Sequence, residues 1–177
     1  DVNPSRGLGD VYKRQAIAEH IGPVYLRFGR PKWPIFTEDN EPFIIGKAKK
    51  FVEGNDVTIF ATGHMVWQAL EAEKILYQKG VSAEIINIHT IKPIDKEAIL
   101  KSISKTGCAI SCEEHNTLGG LGESISRILI ENNPIPFKVL GVNDSFGESG
   151  KPIDLLSKYG LDPKNICKFA LDVIKRK

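Results

Sequence analysis

The stretch DVTIFATGHMVWQALEAEKILYQKGVSAEIINI, Asp56–Ile88, sets the architecture. Its opening run VTIFA (57–61) is short, apolar and rich in β-branched residues, the pattern of a strand covered on both faces. TGH follows, and then a helix over about 64–79. Met65, Ala69, Ala72 and Leu76 fall at i, i+4, i+7 and i+11, a single stripe of that helix. Gly80 ends it, and AEIINI (83–88) is a second strand. Strand, helix, strand at this spacing is a parallel unit with a right-handed crossover.

The same rhythm continues downstream. Asp95 is placed to cap a helix over about 95–104, with Ile94, Ala98, Ile99 and Ile103 inward. CAISCE (108–113) is a third strand, and LGGLGE (118–123) opens a helix to about 131. FKVLGV (137–142) is a fourth strand, followed by helices over about 152–159 and 163–175, the last begun by Pro163. The expected fold class is α/β: a three-layer sandwich whose mostly parallel sheet is flanked by helices. In such sheets ligands and partners approach the carboxyl ends of the strands. The loops there carry TGH (62–64), HTIKP (89–93), EEHNTLGGLG (113–122) and NDSFGESG (143–150).

Upstream the chain is less regular. Residues 1–15 have no period and contain Pro4, Gly7 and Gly9. They read either as a spurious end of a translated assembly or as a disordered tail. AIAEH (16–20) is the end of a helix stopped near Gly22, VYLRF (24–28) is a strand, and 31–52 is a linker punctuated by Pro31, Pro34 and Pro42. Within it, Trp33, Ile35 and Phe36 are expected to pack, and Lys47, Lys49 and Lys50 to lie on a solvated surface. The regular domain is expected over 53–177.

Composition narrows the function classes. The 177 residues are 41% hydrophobic and 26% charged, with a net charge of +2, so no basic stripe points to nucleic acid. No apolar run approaches the ~20 residues of a membrane span. Three cysteines without a framework argue against a secreted disulfide scaffold and suit a reducing cytoplasm. Cys108, Cys112 and His115 make a weak metal pattern without a second pair. His64 sits where a helix N-terminus would meet an anion or simply face solvent. Phe146 stands in its turn-rich loop as an anchor for another chain or domain.

Two motifs carry the remaining chemistry. In RFGR, Arg27 and Arg30 leave a strand into a broken loop, a rigid fork for phosphate or carboxylate, with an interdomain salt bridge as the plainer reading from spacing alone. In EEHNTLGGLG, Glu113, Glu114 and His115 precede Gly119, Gly120 and Gly122. Such groups suit acid–base work or anion binding. They also suit a structural part, with glycines allowing close strand–helix packing and carboxylates capping. The spacing G-G-x-G is not a dinucleotide fingerprint.

In order and spacing, GPVYLRFGRP, the Asp56–Asp95 run, TGCAISCEEHNTLGGLGESI and VNDSFGESG resemble the C-terminal section of the transketolase family over roughly residues 16–177. The likeness is nearest to the C-terminal subunit of split bacterial transketolases. Next come 1-deoxyxylulose-5-phosphate synthase and 2-oxoacid dehydrogenase beta subunits. It implies a remnant of a pyrimidine-binding domain (16–30), the linker, and a C-terminal domain that is mainly structural and dimer-forming. It implies ketol transfer between sugar phosphates, with thiamine diphosphate and Mg2+ held by domains that have no counterpart here. Partners would be the N-terminal subunit, in a homodimer or heterotetramer. The substrate-phosphate arginine of the family corresponds best to Arg30, with Arg27 beside it. The family's substrate histidines have no match in His20, His64, His89 or His115. Alone, the chain is expected to be inactive. A non-catalytic interaction module is the alternative.

Overall fold

The structure, a computed structural model, describes residues 13–27, 29, 34, 36–37 and 43–177. It divides into two units, 1–45 and 46–177. In the first, residues 13–18 are helical and Val24–Arg27 belong to no regular element. The strand expected at 24–28 therefore does not form over its described residues. A strand exists only through a neighbour, and the five strands of the sheet pair among themselves. Phe36 is half-buried, while Trp33 and Ile35 lie outside the described residues.

The second unit is built from β1 (Lys49–Val52), β2 (Val57–Ala61), α1 (Met65–Gln78), β3 (Ala83–Asn87), α2 (Lys96–Thr106), β4 (Ala109–Asn116), α3 (Leu121–Asn132), β5 (Phe137–Val142), α4 (Pro152–Lys158) and α5 (Pro163–Ile174). The strand order is β1-β3-β2-β4-β5. β2 pairs in parallel with β3, Val57 opposite Ala83, and with β4, Thr58 opposite Ala109. β5 continues the parallel set, with Cys112 opposite Leu140. Every residue of β2 is buried, as a central strand sandwiched by helices requires.

α2 and α3 cover one face. Phe60, Ile86, Ile99, Ile103, Leu121 and Ile125 form a continuous core there. α1 and α5 pack on each other in the other layer, where the Cys167 thiol donates to the Ala72 carbonyl at 3.3 Å. The helix starts follow local chemistry. Asp95 accepts from Ala98 N–H at 3.1 Å, and Asp162 accepts from Asn165 N–H at 2.8 Å ahead of Pro163. Gly107 ends α2 in the left-handed conformation at φ 68°.

β1 corrects the linker expected over 31–52. Lys49–Val52 is an antiparallel edge strand on β3, with Lys49 opposite Asn87 and an irregularity before Val52. Its lysines are held rather than merely solvated. The Lys49 ammonium lies 4.5 Å from the Phe51 ring centroid, and Lys50 pairs with Glu53. Lysine on a sheet edge also discourages pairing with foreign strands.

Behind this edge lies a buried polar network. Glu84 of β3 is 2% exposed. It accepts from the Ser102 hydroxyl and from Lys105 Nζ at 2.6 Å, with Lys50 Nζ at 3.8 Å. The Thr58 hydroxyl bonds those of Ser102 at 2.6 Å and Thr106 at 2.7 Å. Lys105 also reaches Glu53 at 2.9 Å, so one ammonium ties α2 to β3 and to the end of β1. Glu84 and Glu53 together raise the Lys105 pKa.

Lys105→Met should destabilise the domain by ~2 kcal/mol in urea unfolding. This lies below the usual penalty for an orphaned buried charge because Lys105 is a third exposed and Lys50 stands near. Lys47→Met, which breaks only the exposed pair with Glu97, should cost under ~0.5 kcal/mol. Equal effects would remove the role given to the network. The Lys50 and Lys105 ammoniums also lower the Glu53 pKa from 4.5 to about 2. A depressed carboxylate stabilises above its unfolded pKa and loses that contribution as pH falls through the folded one. The stability advantage of the native chain over Glu53→Gln should therefore be present at pH 6, shrink between pH 4.5 and about 2, and be reduced by salt because Glu53 is exposed.

Candidate functional site at the carboxyl edge of the sheet

β2 and β4 are neighbours, as are β4 and β5. The loops leaving their carboxyl ends are therefore adjacent. TGH follows β2, EEHNTLGGLG spans the end of β4 and the start of α3, and NDSFGESG follows β5. Of the four loops expected at the carboxyl ends, these three leave β2, β4 and β5, and HTIKP follows β3 on the other side of β2.

Glu113 is the buried member, 2% exposed. Its two carboxylate oxygens accept from Leu121 N–H at 2.7 Å and Gly122 N–H at 2.8 Å. The N-terminus of α3 thus binds an anion, and the anion belongs to the chain itself. The macrodipole and unpaired N–H groups that would attract a ligand are already engaged. The glycines follow from this geometry. A Cβ at position 120 would fall inside the Glu113 carboxylate, and one at 122 would collide with Val139 of β5. Gly119 turns the chain at φ 76°, a conformation that favours glycine.

Beyond Glu113 the strand emerges from the core. Glu114 is exposed, and its carboxylate meets His64 Nδ1 at 3.0 Å, joining the β2 and β4 loops. His64, at the N-cap of α1, therefore faces an internal carboxylate. His115 is exposed and its Nδ1 donates to the Asn116 carbonyl at 2.8 Å. The Asn116 side-chain amide donates to Asp144 at 3.2 Å, linking the β4 and β5 loops. Tyr159 O–H donates to the Phe146 carbonyl at 3.1 Å, and Lys158 pairs with Glu148 at 2.6 Å, fixing the third loop to the end of α4. Phe146 itself is 98% exposed, and Leu118 is also exposed.

The His64–Glu114 and Asn116–Asp144 pairs were not legible in the sequence. Each joins residues far apart along the chain, and only the strand order makes them neighbours.

The weak metal pattern dissolves. Cys108, Cys112 and Cys167 are buried free thiols. The Cys108 thiol donates to the Asp56 carbonyl at 3.3 Å. Burial raises the pKa of Cys112. Among the described residues no group of three or more His, Cys, Asp or Glu is arranged to hold a metal ion. Nor do the residues at α3 suit a cofactor diphosphate, because Glu113 occupies the N–H groups that would cradle it. Arg27 is exposed in irregular backbone, and Arg30 lies outside the described residues. Among the described residues no helix is long and apolar enough to cross a membrane.

A parallel α/β domain with one antiparallel edge strand and a carboxyl edge closed by its own side chains defines the class. Residues 46–166 match the transketolase C-terminal domain, and the chain belongs to that family. It is 44% identical over 161 residues to the 6-deoxy-6-sulfo-D-fructose transketolase subunit of Clostridium sp. strain MSTE9, a match covering 91% of this chain and 50% of that protein. It is 38% identical over 161 residues to an apulose-4-phosphate transketolase subunit of Phocaeicola vulgatus strain ATCC 8482, covering 90% and 51%. A solved split-gene transketolase, described as an inactive beta4 tetramer, superposes with a TM-score of 0.88 at 39% identity over 93% of this chain and 55% of that one. The chain spans about half the length of these relatives.

If Glu113 and the glycines form one unit, their substitutions are coupled. Glu113→Ala should cost about 2 kcal/mol, the usual range for leaving buried N–H groups unpaired. Gly120→Ala should cost a similar amount by displacing the carboxylate. The double variant should fall short of the sum of the two by at least ~1 kcal/mol in urea unfolding. Strict additivity would show that the glycine serves something other than the carboxylate.

Proposed function

We propose that this chain is the C-terminal part of a thiamine-diphosphate-dependent transketolase that moves a two-carbon ketol unit between sugars with anionic ends. The observation that carries this reading is the carboxyl edge. Its polar groups are spent on one another, and Glu113 closes the helix N-terminus, while Leu118 and Phe146 protrude. Such an edge suits docking and positioning rather than bond-breaking chemistry. In this reading thiamine diphosphate and Mg2+ are held by the other domains of the completed enzyme, and the cofactor supplies the carbanion chemistry. The partner is an N-terminal transketolase subunit, and the isolated chain turns over no substrate. The match to a solved beta4 assembly described as inactive supports that last point.

Arg30 is the one substrate contact proposed for this chain, with Arg27 as its neighbour. A guanidinium fork suits a planar or tetrahedral oxyanion. The names of the two curated relatives give sugars ending in a sulfo group and in a phosphate. Binding such a terminus remote from the reacting carbon would orient the sugar.

The test uses this chain joined to a pyrimidine-binding domain and paired with a diphosphate-binding subunit. Ketol transfer should appear in the completed assembly and be absent from the chain alone. Turnover by the chain alone would overturn the reading. In the active assembly, Arg30→Ala should raise KM at least ~10-fold for phosphorylated or sulfonated sugars and leave their uncharged counterparts within ~2-fold. Equal changes for both would remove the anion role.

A further inference from the structure

A cleft of roughly 440 Å³ lies in the outer helical layer between α1 and α5, on a different part of the domain from the loops described above. Half-buried Ile75 and Leu171 supply its apolar lining, and Lys79, Lys164, Lys168 and Lys175 stand around them. The arrangement comes from helical period. Positions 164, 168, 171 and 175 fall at i, i+4, i+7 and i+11 of α5, so they share one face. At 1.5 Å per residue the lysines of that face extend over ~16 Å.

What marks this cleft is that four lysines stand together around it; Lys92, Lys96, Lys101, Lys151 and Lys177 also form no ion pair among the described residues but do not line it. Lys47, Lys50, Lys74, Lys105, Lys138 and Lys158 each have a carboxylate partner. None of the four cleft lysines forms an ion pair among the described residues. Asp172 is the one carboxylate lining the cleft; it pairs with Lys138 and, at 3.4 Å, with Arg176, and the nearby Lys175 charge also acts on it. The result is four like charges around an apolar concavity of a size usual for small-molecule sites. Their mutual repulsion would be relieved by an anion, and the apolar lining would be covered only by a ligand that also has an apolar or planar body.

We propose that this cleft binds a phosphorylated small molecule with a planar or apolar body, nucleotide-like in build. The phosphates lie among the lysines and the body covers Ile75 and Leu171. An acidic protein segment is less well matched, because its carboxylates would meet the lysines and leave Ile75 and Leu171 uncovered. The site is separate from the proposed ketol transfer and requires neither the cofactor nor a second subunit.

The probes are adenosine triphosphate, inorganic tripolyphosphate and adenosine, each titrated calorimetrically into the full chain without divalent metal. Adenosine triphosphate should bind saturably at about 50 mM NaCl and weaken at least five-fold by about 300 mM. Tripolyphosphate and adenosine should each bind at least about five-fold more weakly than the nucleotide. Lys164→Glu with Lys168→Glu should weaken nucleotide binding by about ten-fold or more. Lys101→Glu on α2, in the opposite helical layer, should change it by less than about two-fold. Amide chemical-shift changes in the native chain should concentrate on α1 and α5, which keeps the test valid if the double variant folds poorly. Four outcomes would overturn the proposal: no saturable nucleotide binding, equal affinity for tripolyphosphate, equal loss in the Lys101 variant, or tighter binding of a single-stranded oligonucleotide.

Discussion

The two hydrogen bonds that Glu113 accepts from Leu121 and Gly122 are the interaction on which the carboxyl edge depends. A carboxylate at 2% exposure persists only if its lone pairs are met, since an unpaired buried charge costs several kcal/mol. Here the donors are the leading N–H groups of a helix, which would otherwise be orphans themselves. One contact therefore removes two liabilities and fixes where α3 starts. That start brings Leu121 and Ile125 onto Phe60 and Ile103 in the core. It also dictates the sequence around it, because nothing larger than glycine fits at 120 beside the carboxylate or at 122 against Val139.

This constraint explains why EEHNTLGGLG resists a reading from spacing alone. An acidic pair, a histidine and a glycine run are also what an acid–base or phosphate site would show. The deciding fact is that the carboxylate reaches the helix eight residues downstream, and no local rule predicts that reach. Where periodicity does govern, the sequence is explicit. The strand at 137–142 has the expected bounds, and the stripe Met65, Ala69, Ala72, Leu76 is fully buried. Asp95 caps α2 as its position suggests. β1 escapes notice for a physical reason. An edge strand paired on one side needs no continuous apolar run, and its lysines look like linker until their partners are seen. The end of β4 runs on to Asn116 because Asn116 pairs opposite Val142 after the core is left behind.

Strand order is the other thing a linear reading lacks. β2 lies between β3 and β4, so its loop abuts that of β4. His64 then meets Glu114 across fifty positions, and Asn116 meets Asp144 across twenty-eight. Each residue alone is an ordinary polar side chain. Their pairing converts three separate loops into one connected rim. Arg30 stays a matter of resemblance, since it lies outside the described residues.

The polar groups of this domain fall into two kinds, and the difference bears on function. At the carboxyl edge, acid meets base or amide within the chain. Little charge is left to recruit a small anion there, but the loops are pre-set. A partner seated on Leu118 and Phe146 would not have to order them, and avoided ordering is a main source of useful affinity in protein association. In the cleft between α1 and α5 the balance is reversed: four ammoniums and no uncommitted carboxylate. A surface serving only solubility would intersperse both signs, as the Lys47–Glu97 and Lys158–Glu148 pairs do elsewhere. The domain therefore separates a rim suited to holding protein from a groove suited to holding a charged small molecule, and the two share only the helix α1 that begins at His64 and ends beside Lys79.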